Sequence, residues 1–395
     1  MSSRLLIGLD SLAAPRTGIG YYTEHLISEL MASEREYRIE GVFQGRLLDA
    51  QAMSALIDQP ESIGPSGNPD EGGGNSLKRR LISGLKPVIR SIPGAYQARQ
   101  YVRNVRFRRG LGGIENCLYH EPNYIPLEIP CPTVLTVHDM SHLRHPEYHP
   151  RERVAYLDKY LPGAVRSASH IITVSEFTRR ELCHFFPEAE GKTTAIHLGV
   201  DDIFRTRGAA ETKQVLADWG LEHGGYIFSA ATLEPRKNLA GLVRAYSSLP
   251  SALKRAFPLV LAGGEGWKNH ELKSLLARQD NKDHRIILTG RLPRSSLATL
   301  MSGARLFVYP SFYEGFGLPI AEARASGVPV MTSDRGATKE VAGKDALLID
   351  PEDFGDALQE ALDSEIRPVE VYRYSWADTA RKTAEIYRRV FAGKA

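Results

Sequence analysis

The sequence predicts an α/β protein built from two doubly wound domains. Three observations carry that reading. Short apolar runs alternate with longer amphipathic stretches along the chain. The runs are apolar throughout, as in strands of a parallel sheet covered by helices on both faces. A chain of 395 residues also exceeds what a single core comfortably holds.

Strands are predicted at 5–9, 133–138, 170–174, 226–230, 259–262, 285–288, 306–309 and 328–332. Helices are predicted at 19–30, 176–186, 239–249, 294–302 and 320–325. The first domain is read as 1–205, ending after LGVDDIF, and the second as 206–372. Residues 373–395 are read as a terminal helix that returns to brace the first domain. One large sheet is the alternative, and the length makes it the poorer one.

Composition narrows the class. A hydrophobic fraction of 42% and a charged fraction of 25% suit a soluble globular protein. A net charge of +3 does not describe a nucleic-acid binder. Cys117, Cys131 and Cys183 are scattered and show no CxxC spacing, which speaks against a disulfide framework or zinc site and suits a reducing compartment. The opening MSSRLLIGLD is too short an apolar run for a secretory signal, and no run approaches the ~20 apolar residues of a membrane span. The expectation is a cytoplasmic protein, at most lying on the inner face of the membrane.

Residues 60–76 (PESIGPSGNPDEGGGNS) can bury little and are expected to form a flexible loop. The following window, 78–109, holds ten basic residues and no acidic one, so the rest of the chain carries 3 − 10 = −7. Leu81, Ile82, Leu85, Val88, Ile89 and Ile92 recur between those charges at helical intervals. A basic amphipathic element suits anionic lipid or a phosphate-bearing acceptor. A solvated helix face is the equally open alternative.

The chemistry concentrates in SFYEGFGLPIAE at 311–322, between the strand LFVYP and a helix opening near Pro319. Gly315 and Gly317 allow close backbone approach, and a helix N-terminus behind them makes an anion site suited to a diphosphate. Glu314 and Glu322 flank this site. Two carboxylates beside phosphate need another partner, and sugar hydroxyls are the natural one.

Glu-x7-Glu enclosing EGFGLP resembles the signature of retaining glycosyltransferases of the GT-B type, glycosyltransferase family four. The resemblance implies two Rossmann-like domains facing across a cleft, with the donor mainly on the second and the acceptor mainly on the first. It implies that Glu314 binds donor-sugar hydroxyls, that Glu322 binds the ribose, and that the amides around Phe316, Gly317 and Leu318 hold sugar and diphosphate. TLEPRKN at 232–238 resembles the start of the family's second domain, where Lys237 would meet the diphosphate with Arg236 beside it as a forked donor. Many members carry an arginine where this chain has Ala231 or Thr232. TGRLP at 289–293 is similar to a loop lying against the nucleobase, which places Arg291 and Leu292 there.

In the first half, RTGIGYY at 16–22 places Gly18 and Gly20 in a loop able to approach phosphate or acceptor. His138 and Asp139 end the strand VLTVHD, at the sheet edge where α/β proteins bind ligands; the resemblance has the histidine position the sugar. His142, His145 and His149 are too irregularly spaced for a metal site and read as surface or acceptor-loop residues. TVSEFTRREL at 173–182 places Ser175 as a helix N-cap.

No cofactor is expected, because the nucleotide-sugar is a substrate and no DxD-type metal motif stands out. Leaving-group charge would fall to Arg236, Lys237, backbone amides and the helix dipole. HDMSHLRHPE and TLEPRKN resemble bacterial mannosyl- or rhamnosyltransferases of O-antigen and exopolysaccharide synthesis, which implies GDP-mannose and a lipid-linked or oligosaccharide acceptor. A UDP-hexose enzyme and a catalytically silent nucleotide-sugar-binding protein are the alternatives. A GT-B phosphorylase ranks below both, since no pyridoxal-binding lysine context is visible.

Overall fold

The computed structural model describes residues 3–13, 16, 18–58, 94–110, 116–278, 285–365 and 369–393. The predicted loop at 60–76 and the first part of the basic window, 78–93, lie outside the described residues.

The chain divides into two compact units. The first comprises Met1–Val174, Arg179–Ile196 and Thr379–Ala395, and the second Ser175–Thr178 and His197–Asp378. The first unit holds a seven-stranded sheet of β1 (Ser3–Gly8), β2 (Tyr37–Phe43), β3 (Arg46–Leu48), β4 (Cys117–Glu121), β5 (Thr133–Val137), β6 (His170–Thr173) and β7 (Thr193–Ala195). Their order is β3-β2-β1-β4-β5-β6-β7, parallel except for the β2–β3 hairpin at one edge. The second unit holds six parallel strands: β8 (Ile227–Ala230), β9 (Leu259–Ala262), β10 (Ile286–Gly290), β11 (Leu306–Tyr309), β12 (Val330–Ser333) and β13 (Leu347–Ile349). Their order is β10-β9-β8-β11-β12-β13.

The strands are apolar because both faces are covered. Ile227, Leu259, Leu261, Leu306, Val308 and Met331 from the second sheet pack with Leu242, Val243, Tyr246 and Leu358 from its helices. Each such side chain contributes about 1.5–3 kcal/mol by leaving water. β4, by contrast, reads CLYHE, and its buried His120 and Glu121 break the apolar run that would have marked it as a strand. His120 is satisfied by Tyr387 Oη at 2.6 Å and Thr136 Oγ1 at 2.7 Å. That bond fastens the terminal helix Trp376–Phe391 to the first sheet.

The boundaries differ from those expected. The change of unit falls after Ile196 rather than 205, because the following backbone is tied to the second unit. Val200 N–H donates to Tyr374 O at 2.9 Å, and Arg373 Nη2 donates to Phe204 O at 2.7 Å. Residues 373–378 stay with the second unit for the same reason, so the return begins at Thr379. Ser175–Thr178 also joins the second unit, although the rest of its helix, Glu176–Phe185, does not. Ser175 does cap that helix, receiving Thr178 N–H at 3.0 Å.

A second correction concerns the basic window. Its described part is the helix Ala95–Gly110, whose Gln100, Arg103 and Phe107 face inward. Arg103 is only 13% exposed and lies 2.5 Å from Asp10 Oδ2 and 3.5 Å from Glu121 Oε2. It is an internal counter-ion and not a membrane contact. Arg108 pairs with Glu128.

Candidate active site

In the second unit the strand β11 ends at Tyr309 and the helix Leu318–Ala325 opens at Gly317. Gly317 has φ 94°, a left-handed conformation that glycine adopts without a Cβ penalty. Pro319 sits in the first turn, and residues 320–325 are all buried, including Glu322 and Arg324.

Glu314 lies in the connecting loop and accepts four hydrogen bonds. Its Oε1 receives Lys237 Nζ at 2.6 Å, Ser311 Oγ at 2.7 Å and Tyr309 Oη at 3.1 Å, while Oε2 receives Arg236 Nη1 at 3.2 Å. Lys237 also donates to Tyr309 Oη at 2.9 Å. Arg236 reaches Tyr313 O at 2.6 Å and Glu234 Oε1 at 2.9 Å. Burial alone would raise the Glu314 pKa, but the adjoining Arg236 and Lys237 outweigh it and hold the carboxyl at about 2. In this arrangement Oε1 of Glu314 is fully engaged, while Oε2 carries a single donor.

Both cations come from the short turn Pro235–Lys237 after β8, stopped by Asn238 in the left-handed region at φ 53°. Its side chain caps the next helix, Leu239–Ser248, accepting from Gly241 N–H at 3.2 Å. Phe312 N–H donates to Arg236 O at 2.9 Å, so the turn and the Glu314 loop are laced together by backbone as well.

Glu322 is 3% exposed and receives Arg294 Nη1 at 3.1 Å. Burial pushes its carboxyl up to about 7, against the pull of Arg294. Gly315 presents its carbonyl to Ser175 Oγ at 2.6 Å and Thr178 Oγ1 at 3.0 Å. The Phe316 ring packs on His197 and Tyr374 at 5.8 and 5.4 Å, leaving backbone for any ligand. Arg291 and Leu292 follow β10, half-buried, on a separate loop.

The remaining candidates belong to the first unit. His138 follows β5 and donates from Nε2 to Pro122 O at 2.7 Å, between the rings of Tyr22 and Tyr124. A carbonyl can only accept, so the proton sits on Nε2 and Nδ1 is the acceptor. Burial lowers its pKa to about 4 and keeps the ring neutral. Asp139 Oδ1 receives Ser141 N–H at 3.0 Å and Ser141 Oγ at 2.6 Å.

Gly18 and Gly20, expected in a loop, lie in the first turn of the helix Gly18–Ser33. A Cβ on Gly20 would stand 2.8 Å from Ser11 O, so this glycine answers to packing, whereas Gly18 has open space. His142 and His149 are buried instead of lying on the surface. Among the described residues no group of three or more His, Cys, Asp or Glu side chains is placed to hold a metal ion. Sequence reasoning missed Tyr309, Ser311, Glu234 and Arg294. The first two lie within or beside the quoted motif, but nothing local marks them as partners of Glu314.

Two parallel-sheet units, one carrying a glycine-broken loop with paired cations and carboxylates before a helix N-terminus, define a glycosyltransferase of the GT-B class. The likeness to solved structures agrees: Anabaena Alr3699/HepE in complex with UDP-glucose superposes with a TM-score of 0.65 at 16% identity, over 98% of this chain and 99% of that one. Sucrose-phosphate synthase from Thermosynechococcus elongatus gives 0.62 at 18%, over 99% and 100%. Residues 217–382 match the model for glycosyl transferases group 1, and residues 120–203 that for glycosyltransferase family 4. The O-antigen chain mannosyltransferase B of Escherichia coli is 33% identical over 398 residues, covering 98% of this chain and 99% of that protein. The chain belongs to glycosyltransferase family four.

Proposed function

We propose that this glycosyltransferase moves mannose from GDP-mannose, with retention of configuration, onto a lipid-linked or saccharide acceptor in O-antigen or exopolysaccharide synthesis. The full-length relationship to an O-antigen chain mannosyltransferase supports the sugar and the setting. The observation that carries the chemistry is the pair Arg236 and Lys237 held on Glu314. Without donor, Glu314 stands in for an anion. A diphosphate, with its greater charge, takes both cations and frees Glu314 to accept hydroxyls from the transferred sugar. Glu322 holds the ribose. As the glycosidic bond to the diphosphate breaks, the charge gathering on its oxygen is met by Arg236, Lys237 and the helix N-terminus. His138, neutral with Nδ1 as acceptor, positions sugar hydroxyls. The leaving phosphate is itself the proton acceptor.

Thermal-shift titration with GDP, UDP, ADP and dTDP sugars tests the donor, since a ligand of the native state raises Tm with its affinity. GDP-mannose should give the largest shift and release GDP on turnover. A larger shift with a UDP-hexose would replace the mannose reading, and binding without turnover or hydrolysis would leave a silent binding protein. No metal is assigned to this chemistry, so activity should survive EDTA; loss rescued by magnesium or manganese would overturn that part. The exposed face of the helix Ala95–Gly110 suits the anionic inner face of the cytoplasmic membrane, where a lipid-linked acceptor would reside. No helix among the described residues is long and apolar enough to cross a membrane.

A further inference from the structure

Glu322 is held differently from Glu314. Its Oε1 receives Arg294 Nη1 at 3.1 Å, and its Oε2 receives no hydrogen bond from any described residue. Arg294 opens the helix Arg294–Ser302, directly after Pro293, and its side chain is 18% exposed. The guanidinium lies 4.8 Å from the Phe204 ring centroid, with Nη2 3.6 Å from Asp201 Oδ2. An aromatic face and a second carboxylate thus fix the plane and direction of the fork before it meets Glu322.

We infer that Arg294, clamped by Phe204 and Asp201, is a positioning residue that occupies one oxygen of Glu322 and presents the other to the ribose hydroxyls of the donor. This rests on the reading that Glu322 binds the ribose. Nothing in the local sequence marks the pair, since Arg294 and Glu322 lie on successive helices with β11 between them.

The chemistry requires a cation at this point. A carboxyl as buried as Glu322 favours its neutral form unless a charge opposes burial. The charged groups that act on it are Arg294, which holds the proton off, and Asp201, which favours the proton. A protonated Glu322 loses acceptor capacity at the oxygen that carries the proton. Ribose binding is therefore expected to weaken as pH falls through about 7. Without Arg294 that midpoint moves upward. Lysine keeps the charge but not the planar fork, so it should restore the ionised carboxylate more fully than its orientation.

The experiment measures the dissociation constant of the nucleoside diphosphate giving the largest thermal shift, across pH 6–9, by calorimetry. Wild type, Arg294→Met, Arg294→Lys and Glu322→Gln are compared, each checked for a cooperative melt. Arg294→Met should weaken binding about tenfold at neutral pH, because Glu322 then takes up its proton and the charged acceptor of one ribose hydrogen bond is lost. Most of that affinity should return at the alkaline end, and KM for donor should rise more than kcat falls. Arg294→Lys should retain a near-wild-type pH midpoint with intermediate affinity; should the methionine variant not fold, this split between midpoint and affinity carries the test. If Glu322→Gln weakens binding but both Arg294 variants keep wild-type affinity and midpoint, Arg294 has no positioning role. If Glu322→Gln binds as wild type at every pH, the ribose assignment falls, and the role of Arg294 with it.

Discussion

Four donors converge on Glu314 and one on Glu322, and that asymmetry sets their ionisation in opposite directions. Glu314 is held at about 2 although buried, so its ionised form contributes native stability above the usual carboxylate value near 4.5. That contribution is lost as pH falls from about 4.5 through about 2. Glu314→Gln leaves Lys237 and Arg236 without their shared carboxylate, a change that costs on the order of 3 kcal/mol for buried pairs. The variant should melt lower at neutral pH and show a flatter acid-denaturation profile below pH 4.5. It should also bind nucleotide with less loss than it shows in turnover. Parallel acid titrations followed by circular dichroism check this; superimposable curves would mean the carboxylate is not the counter-ion described. Glu314, Glu322, Arg236 and Lys237 were all legible in the sequence because they sit in compact motifs whose spacing carries meaning. Tyr309, Ser311 and Arg294 were not, because their role comes from tertiary placement.

The glycines of RTGIGYY show how an element can overrule a motif. Gly18 and Gly20 share a spacing that suits a phosphate loop, yet both lie in a helical turn. Gly20 is needed because the carbonyl of Ser11, in the turn Asp10–Leu12, approaches to 2.8 Å of where a Cβ would sit. Gly20→Ala is therefore expected to cost about 1–3 kcal/mol through overpacking. Gly18→Ala, with nothing within 4 Å, should be neutral or gain up to ~1 kcal/mol of helix propensity. Urea denaturation of the two variants separates the cases. Equal stabilities with a selective loss of donor affinity in Gly20→Ala would restore the loop reading. Strands followed the same logic. β9 and β11 were readable because they are uniformly apolar, while β4 was hidden by polar residues, of which the terminal helix satisfies His120.

At the scale of the whole chain, length and strand–helix alternation foretold two α/β units, but the chain's crossing points were not visible. They depend on single ties such as Val200 to Tyr374 and Ser175 to Gly315, which leave no periodic trace. The basic window was equally half-legible. Ten cations without an acid suggested a membrane surface, yet the helix Ala95–Gly110 turns Arg103 inward to Asp10 and Glu121. Its outward face carries Tyr101, 71% exposed, with Val102, Arg106 and Arg109, an aromatic and aliphatic pair among cations. On the proposed membrane contact, the apolar side chains would enter the bilayer interface while the cations meet anionic headgroups. Each cation near that surface contributes about 1 kcal/mol, so Arg106→Gln with Arg109→Gln should weaken vesicle binding roughly thirtyfold. The double variant should keep the wild-type Tm and donor affinity, since neither side chain is buried. Arg103→Gln should instead lower Tm, because it takes the cation from the buried Glu121 and the nearer of two cations from Asp10. The measurement is co-sedimentation with phosphatidylglycerol-containing and with neutral vesicles, at low and at high salt. Binding confined to anionic vesicles and weakened by salt supports the surface. Equal pelleting of wild type and double variant under every condition would reduce these cations to a solvated helix face.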